Sequence, residues 1–281
     1  MVELVRWLRS AEEAGRPRPT FVGIDMQNPL GAIESLTAYL ARTAPDLGAE
    51  VGRLLAPQRR AWQEQPYPQR GEAEYRDWSR AADEVMSRLE GLQSSGSAPR
   101  ASSEAEVALY DARLVWQSAE LSRTGDPALR DRYMAENLSW HHVRQPAGSG
   151  TVVWAHNTHV RLDRGGMGGQ LEKLHPGELT AVCLTTHRGE YTAWDGSRMG
   201  TYRLLPGPTA SLERLLHRVG MPILALDLRG TEAALPLLSE PMYQRNVGLY
   251  PADFGFLRAA PRAGFDLVLF VDETTATRPI H

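Results

Sequence analysis

The chain has 281 residues, 42% of them hydrophobic, enough to bury a sizeable core, so a structureless polymer is excluded. Its 31 basic and 34 acidic residues leave a formal net charge of −3, which removes any general attraction to nucleic acid or an anionic membrane. One cysteine, Cys183, excludes an intrachain disulfide and a thiolate metal cluster and points to a reducing compartment.

Leu4, Val5, Trp7, Leu8 and Ala11 fall near helical spacing, and Gly15, Pro17 and Pro19 end that helix. The pattern has no signal-peptide core and no run reaches the ~18 apolar residues of a membrane span, so a cytoplasmic protein is expected. Thr20 to Asp25 reads as a strand closing in an acid, and Asn28 with Pro29 starts a helix through Leu36 and Leu40. The loop after Asp25 then sits at the carboxyl end of a strand, where open α/β sheets bind ligands. Pro57 to Gly71 and Gln93 to Ser103 read as loops. Helices are expected over about 72–92, 104–121 and 126–142, the last opened by Asp126-Pro127. With no strand among them, they read as a helical insertion at about 45–145 within one α/β domain spanning 1–281. Strand character returns at 151–155, 179–185, 222–228 and 265–271, with helical patterns near Leu171 and over 211–219. The expected fold is α/β, a mostly parallel sheet flanked by helices.

The stretch Val153-Trp154-Ala155-His156-Asn157-Thr158-His159 ends an apolar strand in two imidazoles and a carboxamide. At a sheet's carboxyl edge, histidine can carry a proton, donate to an oxyanion or bind a metal; the structural alternative is two rings hydrogen-bonded to nearby backbone. Arg130, Met134 and Asn137 share one helical face, which suits either the wall of a polar cleft or a buried arginine tying helices to the sheet. His187 and Glu190 supply a third metal ligand only if folding brings them close, and a surface pair on a β-turn is the simpler reading. His141-His142 reads as a cap on a helix dipole. Gly165 to Gly169 lacks a phosphate-binding signature and is expected to be a flexible loop near the site. Cys183, inside the run Leu179 to Leu184, reads as a small buried hydrophobe, and no G-x-S-x-G elbow is present.

The blocks F-V-G-I-D-M-Q at 21–27, R-D-R-Y-M-A-E-N-L-S-W at 130–140, V-V-W-A-H-N-T-H-V at 152–160, M-G-G-Q-L at 167–171 and F-D-L-V-L-F-V-D-E-T-T-A-T-R-P at 265–279 resemble, in that order, the erythromycin esterase family. The resemblance implies an erythromycin-esterase-like α/β core with a helical insertion. It also implies a cleft in which histidine-activated water opens a macrolide lactone or related ester without metal or other cofactor. His156 and His159 match the family's A-H-N-x-H block and are expected to be catalytic, while Asp25, Arg130, Asn137 and Asn157 are expected to bind substrate. The family's G-E-x-x-H-G motif has no counterpart, so an N-terminally truncated member is expected, with an exposed sheet edge that can pair with a second copy. Two functions stay open: a carboxylic-ester hydrolase, or a non-catalytic small-molecule-binding remnant. The expected partner is a small-molecule ester, with neither nucleic acid nor membrane.

Overall fold

The computed structural model describes residues 2–15, 19–65, 68–94, 103–248, 250–251 and 255–277. Pro17, most of the predicted loop at 95–102 and the last two residues of the 265–279 block lie outside them. The first helix, α1 (Val2–Glu13), buries none of its residues. Asn28 Oδ1 accepts the Leu30 N–H at 3.0 Å where α2 (Leu30–Thr43) begins. α2, α3 (Pro45–Glu64), α4 (Glu72–Ser94) and α5 (Ser103–Thr124) close on one core that includes Leu36, Leu40, Leu55, Trp78, Val85 and Val115. The loop expected from Pro57 is instead the last two turns of α3. Proline there forfeits one helical hydrogen bond, but Val51, Leu55, Ala61 and Trp62 continue a buried stripe across it, and burial outweighs that loss.

α6 (Pro127–His142) begins as expected, with the Asp126 carboxylate accepting the Ala128 N–H at 2.9 Å and proline in the first turn. Two short helices follow, α7 (Asn157–Val160) and α8 (Met167–Leu174). Gly168 and Gly169 belong to α8 and not to a flexible loop. A Cβ on Gly168 would meet the carbonyl oxygen of Val160, and one on Gly169 that of Arg164, so only glycine lets α8 approach the end of α7.

The remaining elements are β1 (Val182–Trp194), β2 (Met199–Leu204), α9 (Leu212–His217), β3 (Ile223–Asp227), a 3-10 turn (Pro236–Ser239), β4 (Met242–Arg245), β5 (Phe256–Ala259), α10 (Pro261–Gly264) and β6 (Leu267–Thr274). The main sheet runs β2-β1-β6-β3; β1 and β6 are parallel and the other neighbours antiparallel. It is therefore mixed, where a mostly parallel sheet was expected. One cause is local: the Asp195 carboxylate accepts the N–H groups of Ser197 and Arg198, Gly196 adopts φ +100°, and β1 folds straight back into β2. The other is that residues 20–25 and 151–155 join no ladder among the described residues. Ile24, Met26, Val153 and Ala155 are held instead by apolar packing against Tyr133, Met134, Leu138, Met167 and Leu171, while Phe21, Val22, Val152 and Trp154 face solvent. His187 is no surface residue: it is buried within β1, its ring stacked 4.2 Å from that of His217 on α9.

Candidate active site

The first turn of α6 carries Arg130 and Asp131 on adjacent directions of the helix, and each reaches a different segment. Arg130 clamps Asp25 through Nη2 to Oδ2 at 2.6 Å and Nε to Oδ1 at 3.3 Å, which ties α6 to the end of the 20–25 segment. Asp131 Oδ1 lies 2.6 Å from His159 Nδ1, and both side chains are mostly but not wholly buried, at 17% and 24% exposure. A carboxylate only accepts, so His159 Nδ1 carries the proton and the lone pair falls on Nε2. Nε2 has no hydrogen-bond partner among the described residues and is not among the sealed polar atoms. Gly166 closes over this pair: a Cβ there would stand 3.4 Å from Asp131 Oδ2 and 3.2 Å from the Thr158 carbonyl oxygen.

His156 is spent differently. Its Nε2 lies 2.8 Å from the Val247 carbonyl oxygen, so that nitrogen donates; its Nδ1 accepts from the Thr158 hydroxyl at 2.8 Å and caps α7 through the Thr158 N–H. Both ring nitrogens are committed, and the two imidazoles address different elements, His159 toward α6 and His156 toward the segment after β4. Asn157 pairs its carboxamide with the backbone of Leu184, donating to the carbonyl at 2.7 Å and accepting the N–H at 3.2 Å, as a neighbouring strand would. Asn137 is fully buried and donates to the Ile24 carbonyl and to Gln117 Oε1. Thus two separate pairs, Arg130 with Asp25 and Asp131 with His159, start from neighbouring residues of α6, Asn137 anchors the same helix from inside, and His156 and Asn157 fasten α7.

Two residues that sequence reasoning passed over matter here. Asp131 stood beside Arg130 in the same block, and its pairing with a histidine nearly thirty positions away has no local signature. Arg161, directly after α7, is 1% exposed; it forks onto Asp163 at 2.8 and 2.7 Å, donates to Gln244 at 3.0 Å and lies over the Phe265 ring. Cys183 is buried, and burial pushes its thiol up to about 12, which removes it as a nucleophile. His187 and Glu190 do not join His156 or His159 in any group of metal-ligand geometry among the described residues. A cavity of about 760 Å³ lies between residues 149–155 and 178–184; it is mostly apolar, and none of the predicted site residues lines it. Asp131 and His159 are not among the residues that line it.

The sequence profile of the erythromycin esterase family matches residues 1–274. No curated protein matches. Among solved structures, a succinoglycan biosynthesis protein superposes with a TM-score of 0.80 at 18% identity, covering 98% of this chain and 70% of its own. A Bacillus cereus protein gives 0.82 at 17%, covering 98% and 72%. A mutant of the erythromycin esterase EreC in its open conformation gives 0.71 at 16%, covering 96% and 72%.

Proposed function

The chain belongs to the erythromycin esterase family, and from that premise we propose that it is a carboxylic-ester hydrolase in which His159, oriented by Asp131, activates water against a macrolide lactone or a related ester. The observation that carries this reading is the 2.6 Å contact between Asp131 and His159 Nδ1 together with an unpartnered Nε2. An imidazole held in that tautomer accepts a proton from water at Nε2, and the adjacent carboxylate stabilises the imidazolium that results. The same ring then returns the proton to the departing alkoxide, so the ester bond is cleaved with water added and no cofactor consumed. Arg130 and Asp25 border this site, and in this reading they orient the ester. His156, Asn157 and Asn137 act as positioning residues, since both ring nitrogens of His156, the carboxamide of Asn157 and the Asn137 amide nitrogen are engaged by protein.

A second reading is favoured by one observation: both ring nitrogens of His156 are committed to Thr158 and to the Val247 carbonyl, so that imidazole has none to spare. In that reading the chain binds a small ester without turning it over. Incubation of the purified chain with a macrolide lactone, followed by mass spectrometry, separates the two. The hydrolase reading expects a gain of one water, lost in His159→Ala. Saturable binding of an unchanged macrolide sinks it and leaves the binding reading.

A further inference from the structure

Away from the dyad, three side chains assemble a metal-ligand set. His142 is the last residue of α6, His175 follows the last residue of α8, and Glu178 lies in the turn after it. His142 Nε2 and His175 Nδ1 each stand 3.8 Å from the same oxygen, Glu178 Oε2. One ligand atom from each of the three residues falls within 4.8 Å of the others. At 3.8 Å no hydrogen bond links these atoms. A tetrahedral ion bound at about 2.0–2.1 Å to each ligand needs ligand atoms roughly 3.4 Å apart; the exposed Glu178 side chain closes its two 3.8 Å gaps by a few tenths of an ångström, and the two imidazole nitrogens, within 4.8 Å of each other, close by rotation of their rings.

The outward nitrogens argue for the same use. His142 Nδ1 lies 3.0 Å from the Thr151 hydroxyl and His175 Nε2 lies 2.9 Å from the Ser139 hydroxyl. With each outer N–H donating to an oxygen, each inner nitrogen presents its lone pair to the cluster, which is how outer-shell partners prepare a histidine to bind metal. α6 and α8 both end here, so the negative ends of two helix dipoles face the cluster. All three residues also line the cavity of about 760 Å³.

We propose that His142, His175 and Glu178 bind a zinc-class divalent transition-metal ion, through three protein ligands, with the remaining coordination position open toward that cavity. Two imidazoles and one carboxylate are the donor set that such ions accept and that calcium or magnesium would not prefer. The site is separate from the dyad, because at 1.5 Å per residue His142 lies about 16 Å along α6 from Asp131.

The test uses the full chain, freed of any affinity tag and stripped with chelator. Zinc is titrated by calorimetry, and cobalt, its spectroscopic substitute, by visible absorption. One equivalent of zinc per chain is expected, with intense cobalt bands of tetrahedral type. His175→Ala and Glu178→Gln are expected to weaken zinc binding by at least tenfold, and Ser139→Ala by about tenfold. Glu240→Gln, an exposed acid elsewhere, is expected to leave it unchanged. If His175→Ala misfolds, Glu178→Gln carries the test, because that side chain is 62% exposed. Failure of the wild-type chain to bind stoichiometric zinc overturns the proposal, as does equal binding by wild type and Glu178→Gln.

Discussion

Replacing Asp131 by asparagine changes one oxygen for an NH₂ group and leaves the shape of the dyad intact, so it isolates the tautomer argument. In the wild-type chain Oδ1 can only accept, which places the proton on His159 Nδ1 and the lone pair on Nε2. An introduced amide that donates to Nδ1 reverses this and leaves Nε2 protonated, unable to take a proton from water. The expected loss is the full general-base contribution, ~10²–10⁴ in kcat, equivalent to ~2.7–5.4 kcal/mol of barrier at 1.36 kcal/mol per tenfold. The effect on folding is smaller. A charge-assisted hydrogen bond between partly exposed groups contributes about 1–2 kcal/mol, a shift of a few degrees in Tm for a chain of this size. KM should move little, because Asp131 faces histidine and not substrate. The assay is macrolide or ester turnover at saturating substrate, with thermal unfolding of the same preparations. Turnover in Asp131→Asn within threefold of wild type, where His159→Ala abolishes it, refutes the reasoning: the histidine would then act without its carboxylate.

Three further outcomes follow from the packing. Arg161→Ala removes a buried guanidinium and strands Gln244 and Asp163, so urea unfolding should show a loss of about 3–5 kcal/mol, which Arg161→Lys, lacking the fork, restores by less than half. Burial, reinforced by the neighbouring His217, lowers the pKa of His187 below that of an unfolded histidine. The unfolded chain then binds more protons there as pH falls below about 6.5, and stability should drop on acidification with a slope of at most ~1.4 kcal/mol per pH unit from this group. His187→Phe, assayed by urea midpoints from pH 8 to 5.5, should flatten that limb. Leu184 and Leu269 are register partners, as are Ile223 and Val271, and all four are exposed on one face of the sheet. If that face seats a second copy, sedimentation at tens of micromolar shows a dimer that Ile223→Lys dissociates; a monomeric wild type argues against it.

What the sequence disclosed, and what it concealed, divides by range. The start of α6 was legible because Asp126 and Pro127 act within one turn on the backbone beside them, and the strands at β1, β3 and β6 were legible because a run of apolar residues needs only a neighbour. Pro57 misled because a proline is a local cost, whereas the buried stripe from Val51 to Trp62 that overrides it is a property of four helices together. The glycines at 168 and 169 looked like slack, and their reason is the carbonyl oxygens of α7 and the turn after it, which no window of sequence displays. Asp131 escaped notice for a similar cause. A carboxylate in a charged block looks solvated until the fold puts an imidazole 2.6 Å away.

The segments at 20–25 and 151–156 carry much of the candidate site yet make no strand pairs among the described residues, so side chains must hold them. Asn137 grips the Ile24 carbonyl, Arg130 grips Asp25, His156 grips the Val247 carbonyl, and Asn157 takes the ladder position beside Leu184. The same polar residues that a family likeness marks as functional are therefore doing the work of absent backbone hydrogen bonds. This makes loss of activity alone an ambiguous readout. A group that positions the site loses stability and turnover together when truncated, because the hydrogen bonds that hold its segment are lost at about 0.5–1.5 kcal/mol each. A group that transfers the proton loses turnover and keeps its fold. Asn157→Ala should fall in the first class and His159→Gln in the second. A melting curve beside each rate therefore sorts the block into scaffold and chemistry, and if Asn157→Ala melts as wild type does but turns over no substrate, the carboxamide belongs to the chemistry after all.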